Sequence, residues 1–185
     1  MLSSKSFFQR FLKEKKMVGA ISPSSIFLTN KMLENIDFEK TKVLVEIGPG
    51  TGVFTKKVLS RMQPNSVFLV FELNTDFFQE LQTKIVDKRV IFINDSAEKL
   101  QAYLDQFNIS KVDAIISSLP LSNFYQRLTL KLLRTFQSCL SDTGKYIQFQ
   151  YSLKQKQELK HVFSKVKITF TLWNIPPAFV YTCSK

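Results

Sequence analysis

Val45-Glu46-Ile47-Gly48-Pro49-Gly50-Thr51-Gly52 is the stretch on which the fold of this chain turns. The apolar run Val43 to Ile47 is short and continuous, as a parallel strand buried on both faces requires. Glycines break it, and a helix is expected from there to about Met62. Glycine takes positive φ and lets a ligand approach the main chain closely. A lone glycine-rich turn says little, but this one follows the first strand of the core and opens a helix, where a cofactor turn belongs. A second acid, Glu72, ends the next apolar strand, 20 residues after Gly52. At that place and spacing a carboxylate suits hydrogen bonds to ribose hydroxyls.

Outward from the turn, strand and helix alternate. Strands are expected at Ser66 to Glu72, Arg89 to Ile93, Val112 to Ser117 and Lys145 to Tyr151. Helices are expected at about Asn74 to Val86, Ala97 to Phe107, Phe124 to Cys139 and Gln155 to Ser164. Such alternation demands a mostly parallel sheet with helices on both faces. The last two strands, near Lys165 to Leu172 and Ala178 to Cys183, lie too close in sequence for a parallel crossover. They are expected to pair as an antiparallel hairpin, giving an α/β sheet of seven strands. Before the core, residues 5 to 16 read as an amphipathic helix, with Phe7, Phe8, Phe11 and Leu12 at helical spacing and Arg10, Lys13 and Lys16 opposite. Val18 to Ser25 reads as a loop, and a second helix is expected at about Ser24 to Asn35. Residues 1–35 thus form an N-terminal extension and 36–185 the core of a single domain.

The chain has 185 residues, 44% of them hydrophobic, enough for one domain with a real core. Its net charge of +11, from 26 Lys and Arg against 15 Asp and Glu, favours an anionic partner, nucleic acid or acidic lipid. The alternative is charge that serves solubility alone. Cys139 and Cys183 stand without metal-ligand spacing and read as reduced thiols, and the single histidine, His161, argues against a His-based metal site or triad. Apolar runs fall short of the ~20 residues of a spanning helix. The charged N-terminus is unlike a secretory signal, so a cytoplasmic protein is expected.

The form E-x-G-x-G-x-G separates cofactors. Dinucleotide sites use G-x-G-x-x-G, whose third glycine packs helix on strand; counted from Gly48, that position is Val53. The turn instead resembles motif I of class I S-adenosylmethionine-dependent methyltransferases. That resemblance implies a Rossmann-like methyltransferase fold, S-adenosyl-L-methionine as cofactor and no metal. It implies that Glu46 organises the loop and faces the methionine amino end, with Gly48, Gly50, Thr51 and Gly52 against the cofactor. Glu72 and Leu73 would meet the ribose, and Asp95-Ser96 the adenine, the Asp accepting from the exocyclic amine. An Asp that opens a helix is alternatively only its N-cap. Ser117 and a loop from Ala20 to Ser24, with Ala20 and Ser22, complete the expected cofactor set.

Ser117-Ser118-Leu119-Pro120-Leu121 follows the fourth strand, where class I methyltransferases hold the methyl acceptor. With the N-terminal Phe-Leu segment and the glycine loop, the Leu-Pro is similar to ribosomal RNA adenine dimethylases. Those enzymes carry an Asn-Leu-Pro-Tyr-like motif, whose Asn accepts from the adenine amine and whose ring stacks on the base. Here Ser118 and Leu121 replace both groups, and Leu has no π face. The family's C-terminal helical RNA domain is also not expected, since the chain ends soon after its hairpin. A fuller resemblance is to bacterial phospholipid N-methyltransferases. It rests on Val18-Gly19-Ala20-Ile21-Ser22-Pro23-Ser24-Ser25, Glu46 to Gly52, Phe71-Glu72, Ser117 to Leu121, Gln148-Phe149-Gln150-Tyr151 and Trp173-Asn174-Ile175-Pro176-Pro177-Ala178. It implies stepwise methylation of phosphatidylethanolamine by a Rossmann-like enzyme with a basic amphipathic N-terminal helix. The density of Lys and Phe departs from typical members.

The expected chemistry is in-line methyl transfer to a lipid amine, with the protein supplying proximity and alignment. Ser118, Leu119, Pro120 and Tyr151 form the expected catalytic set, and Tyr125, Arg127 and Trp173 the substrate-binding set. Tyr151 and Trp173 would stabilise a methylated headgroup through cation–π contact, or else are core packing. Tyr125 and Arg127 would meet the lipid phosphate, or else are ordinary polar residues at a helix start. His161 lies away from the sheet end, so no convincing general base is named. The N-terminal helix either lies in a membrane interface or packs on the domain. The expected partners are an anionic membrane surface and its phospholipid on the inner face of the cytoplasmic membrane, with no obligate protein partner. The rivals are an RNA methyltransferase, a non-catalytic cofactor-binding module at a membrane, and a small-molecule amine methyltransferase.

Overall fold

The computed structural model describes residues 23–172 and 174–185. The expected N-terminal helix, Ala20, Ser22 and Trp173 lie outside these residues. Helix α1 spans Pro23–Leu33 and leads into β1, Val43–Ile47. Then follow α2 (Val53–Leu59), β2 (Val67–Phe71), α3 (Thr75–Lys84), β3 (Val90–Ile93), α4 (Leu100–Gln106) and β4 (Val112–Ser117). The chain closes with α5 (Gln126–Cys139), β5 (Leu140–Gln150), α6 (Lys156–Val162), β6 (Lys165–Thr171) and β7 (Ala178–Ser184). The sheet has seven strands in the order β3-β2-β1-β4-β5-β7-β6. β1 to β5 are parallel, and β7 runs antiparallel to both β5 and β6.

The central strands β1, β2 and β4 are buried on both faces, so their apolar runs separate by parity into two cores. Val45 and Ile47 of β1, Leu69 and Phe71 of β2 and Ile115 of β4 pack with Leu100 of α4, Leu133 and Phe136 of α5 and Leu159 of α6. Leu44, Phe68, Val70, Ala114 and Ile116 face the other way, onto Met32 and Leu33 of α1 and Val58 of α2. Tyr146 is stacked between Phe136 and Phe163, at 5.5 and 5.4 Å between centroids. The outermost strand, β6, presents exposed Lys165 and Lys167, a common guard against edge-to-edge pairing.

Several boundaries differ from the sequence expectation: the helix expected from Ala97 starts at Leu100 after a separate 3-10 turn, and Pro23 to Ser25, expected in a loop, open α1. Strand β5 starts at Leu140, not Lys145, because Leu140 pairs with Val112 and, after a shift in register, Lys145 pairs with Ala114. Ser-Asp-Thr-Gly at 141–144 reads as a loop but is a bulge in the strand; a Cβ on Gly144 would stand 2.8 Å from Val112 O. Helix α5 starts later than Phe124 because Leu121–Asn123 forms a separate 3-10 turn after Pro120. Arg89 ties the far end of α2 to β3: it donates to Leu59 O at 3.0 Å and Met62 O at 2.8 Å while paired with Asp87 at 2.7 Å.

The parallel strands bring the segments after β1, β2, β3, β4 and β5 to one edge of the sheet, the edge where open α/β sheets bind ligands. β6 runs in the same sense as β5, so the β6–β7 connection joins them. Among the described residues, no helix is long and apolar enough to cross a membrane.

Candidate active site

The glycine turn is left-handed at three points, with φ of 71° at Gly48, 58° at Gly50 and 80° at Gly52. The Gly48 amide donates to Phe71 O at 2.9 Å, which fastens the turn to β2. Gly50 and Gly52 are glycines for different reasons. A Cβ on Gly52 would lie 2.7 Å from Leu81 Cδ2, so this position is closed by α3. A Cβ on Gly50 would meet nothing within 4 Å, so this one opens outward. Thr51 is exposed between them.

Two buried glutamates support the turn. Glu72 accepts from the Gly50 amide at 3.3 Å and from the Asn74 amide at 2.8 Å. Glu46 accepts from Thr55 Oγ1 at 2.7 Å through Oε2. Its Oε1 is buried and has no hydrogen-bond partner among the described residues. Burial pushes the Glu46 pKa up to about 8; the Thr55 hydroxyl opposes the rise and nearby Glu72 adds to it. A carboxylate oxygen left unpaired in the interior is costly. A cationic amine beside it relieves that cost, and the outward-opening Gly50 leaves room for a ligand against the main chain. These residues fit the amino end of S-adenosylmethionine.

From Gly48 a cavity of about 640 Å³ runs along the edge, lined by Phe71, Leu73, Asp95, Ser96 and Leu119 and by Phe124, Tyr125, Arg127 and Lys131 on its far side. Ser96, not Asp95, caps the 3-10 turn at Ala97–Lys99: its Oγ accepts from the Glu98 amide at 3.3 Å. Asp95 is thereby left to the cavity. Its Oδ2 accepts from Lys99 Nζ at 2.8 Å and Tyr103 Oη at 3.0 Å, and its Oδ1 from the Ser96 amide at 2.7 Å. Burial alone would raise the Asp95 pKa, but these hydrogen bonds outweigh it and hold the carboxyl below its usual range. The side chain is fixed and ionised, and so can accept from an exocyclic amine but not donate to it. Tyr125 and Arg127 line this same cavity, and Tyr125 is 80% exposed. The structure therefore gathers them with Asp95 and with Leu119 of the Ser118 loop.

On the other side of β4 the Ser117-to-Leu121 segment is held without charges. The Ser118 amide donates to Ile47 O at 2.9 Å, and the Leu119 amide to Ser117 Oγ at 3.3 Å. Leu119 O accepts from Gln148 Nε2 at 2.9 Å, Gln150 Nε2 at 3.1 Å and the Leu121 amide at 2.9 Å. Tyr146 Oη donates to Gln148 Oε1 at 2.6 Å, which fixes the orientation of that carboxamide. Ser118 Oγ is buried with no partner among the described residues, and Leu121 is fully buried. Tyr151 stands just beyond, half exposed, edge-on to Phe149 at 5.6 Å, and Phe149 stacks on Phe54 at 6.3 Å.

Gln148, Gln150 and Thr55 support the site although the sequence assigned none of them a role, and the two glutamines entered only within the Gln148-to-Tyr151 stretch that carries the resemblance. Alternation in β5 puts both glutamines on one face, and a polar residue at a buried position of a central strand was the available signal. His161 lines a separate groove with Gln126, Leu130 and Glu158.

Comparison with known proteins agrees with this geometry. A family model described as ribosomal RNA adenine dimethylase matches residues 3–162. An ornithine lipid N-methyltransferase from Singulisphaera acidiphila is 28% identical over 96% of this chain and 93% of its own length. A ribosomal RNA small subunit methyltransferase A from Mycoplasma capricolum is 34% identical, over 59% of this chain and 40% of its own length. This chain thus spans well under half of that RNA enzyme. Among solved structures, a 1,6-didemethyltoxoflavin-N1-methyltransferase from Burkholderia thailandensis shares the fold with a TM-score of 0.74 at 13% identity, over 98% of this chain and 86% of that one. A precorrin-6y C5,15-methyltransferase from Geobacter metallireducens does so with a TM-score of 0.66 at 15% identity, over 86% and 88%. With the strand order, the glycine turn and its two glutamates in place, the chain belongs to the ribosomal RNA adenine dimethylase family and is an S-adenosylmethionine-dependent methyltransferase.

Proposed function

We propose that this enzyme methylates the amine of a phosphatidylethanolamine-type or similar amine-bearing lipid at a membrane surface. The observation that carries this reading is Leu121. The resemblance to RNA dimethylases calls for a base-stacking ring at that position, and here it is an aliphatic side chain at 0% exposure. A nucleobase has no platform there, and the Ser118 hydroxyl reaches less far than an Asn carboxamide. An ornithine lipid N-methyltransferase that matches over nearly its whole length supports the lipid class.

S-adenosylmethionine supplies an electrophilic sulfonium methyl, so the chain's task is to bind, align and exclude water. Glu46 and the glycine turn receive the amino end, Glu72 orders the turn, and Asp95 receives the adenine amine. The Ser117-to-Pro120 loop, clamped through Leu119 O, presents the Ser118 hydroxyl toward the acceptor nitrogen. The side chains that hold that loop are uncharged, and a low-polarity setting favours the neutral, nucleophilic form of an amine. Tyr151 offers its ring face to a partly methylated headgroup.

The test offers labelled S-adenosylmethionine with phosphatidylethanolamine in anionic liposomes beside unmodified ribosomal RNA. Label in the lipid that is lost in Glu46→Ala supports the proposal. Label in RNA alone overturns it in favour of the RNA enzyme that the family model and the positive charge suggest.

A further inference from the structure

Exposed apolar side chains gather at one end of this molecule. Leu172 is 70% and Ile175 86% exposed, both in the connection between β6 and β7. Tyr151 and Leu153, which follow β5, are exposed as well. The strand order leaves only β7 between the ends of β5 and β6. The Asn174 side chain lies beside Tyr151, and Tyr181 Oη of β7 donates to Ser152 O at 3.2 Å. The two segments therefore form one rim. It adjoins the Ser118–Pro120 loop, since Gln150 at the end of β5 holds Leu119 O. A lone exposed leucine needs no explanation, but a contiguous apolar set beside a catalytic loop does.

We propose that this rim is a membrane-docking surface: Leu153, Leu172 and Ile175, with the Tyr151 ring, enter the interfacial layer of an anionic bilayer and bring the acceptor side of the site down to it. The occupant follows from charge and from reach. From Tyr151 to Lys185 the chain carries Lys154, Lys156, Lys160, Lys165, Lys167 and Lys185, against Glu158 as its one acid. Lys154, next to Leu153, is exposed at the rim, and Lys156 follows at the start of α6, half-buried. An apolar surface flanked by cations on a segment with one acid matches the headgroup layer of an anionic membrane. The requirement of reach rests on the lipid reading above. A diacyl lipid keeps its tails in the bilayer, so its amine meets Ser118 only if this edge of the sheet lies on the membrane.

The full-length chain and its Leu172→Ser/Ile175→Ser variant are floated with vesicles of phosphatidylglycerol and phosphatidylethanolamine, without S-adenosylmethionine. Both positions are exposed, so thermal melts should coincide and serve as the folding control. We expect the variant to partition about tenfold more weakly. Brominated lipid should quench Trp173, the single tryptophan, which lies in sequence between Leu172 and Asn174. Transfer to bilayer phosphatidylethanolamine should fall with binding, while transfer to a short-chain, soluble phosphatidylethanolamine should not. Equal partition of the two proteins overturns the proposal, as does absence of quenching, because residues 1–22 alone would then hold the membrane. A variant that changes self-association but not vesicle binding assigns the rim to a second copy of the chain and overturns it too. Because binding is read without turnover, vesicle binding by a protein that methylates no lipid would sink the lipid reading and leave the docking surface standing.

Discussion

On one side of β4 the edge of the sheet is held by carboxylates; on the other it is held by carboxamides and hydroxyls. Glu46, Glu72 and Asp95 serve the first half, Gln148, Gln150, Tyr146 and Ser118 the second. Glu46 and Gln148 are both fully buried side chains, on β1 and β5 with β4 between them, yet they answer opposite needs. On the proposed reading, the carboxylate half receives a ligand that is itself a cation, and the neutral half an amine that must first lose its charge. A site that kept acids on both sides would hold the acceptor as an ammonium, which cannot attack.

The largest expected effect breaks the first half. Glu46→Gln should lower methyl transfer by about 100-fold or more, since a charged hydrogen bond to the ligand is lost. Its stability should move the other way. Native Glu46 keeps its proton up to about 8, while the unfolded chain releases it near 4.5. The wild type therefore loses stability as pH rises through that window, by roughly a few kcal/mol in total, and Glu46→Gln does not. Melts across roughly pH 4 to 9 with parallel slopes for the two proteins would refute the assignment.

Next, the two glycines should separate. Gly52→Ala meets Leu81 and should cost roughly 3 kcal/mol of stability. Gly50→Ala should cost only about 1 kcal/mol but weaken S-adenosylmethionine binding about tenfold, by calorimetry. Equal melting points would show the turn to be one structural unit.

In the neutral half, Gln148→Leu strands Tyr146 Oη and weakens the hold on Leu119 O. It should cost about 2 kcal/mol and lower kcat about tenfold with KM for S-adenosylmethionine unchanged; a rise in that KM would erase the boundary between the halves. Ser118→Ala should raise stability by about 1 kcal/mol, because the buried hydroxyl is unpartnered, while slowing transfer severalfold. A variant that is no slower would leave Ser118 without a role in catalysis. The smallest effect is a control far from both halves. Arg89 holds the Asp87 pKa down to about 2, from 3.8. Its contribution is present above 3.8 and is lost as pH falls toward 2. Asp87→Asn should blunt acid unfolding slightly without changing activity.

Much of the first half was legible in the sequence, because its logic is local. A turn that needs positive φ announces itself as glycine, and an acid at the end of an apolar strand seldom serves packing. Asp95 and Ser96 were legible as a pair, but which of them caps the turn was decided by the Ser96 hydroxyl. The neutral half was harder to read. Gln148 and Gln150 act only because a parallel strand from a distant part of the chain brings Leu119 O within reach, and Gln-Phe-Gln reads equally as a solvated edge. The position of Tyr125 and Arg127 beside Asp95 is likewise set by the 3-10 turn at Leu121–Asn123, which delays α5 and swings its start over the cavity. The bulge at 141–144 was missed because its composition is that of a loop.

Leu121 also bears on how the site could change. The side chain is sealed in the core at the start of that 3-10 turn, so an aromatic ring cannot simply be put back. Leu121→Tyr would overpack the site by roughly 1–3 kcal/mol before any base could stack on it. A base-stacking ring at this position would thus need the turn and the residue to change together. On the proposed reading, acceptor choice at this position is therefore stored in the backbone as much as in the side chain.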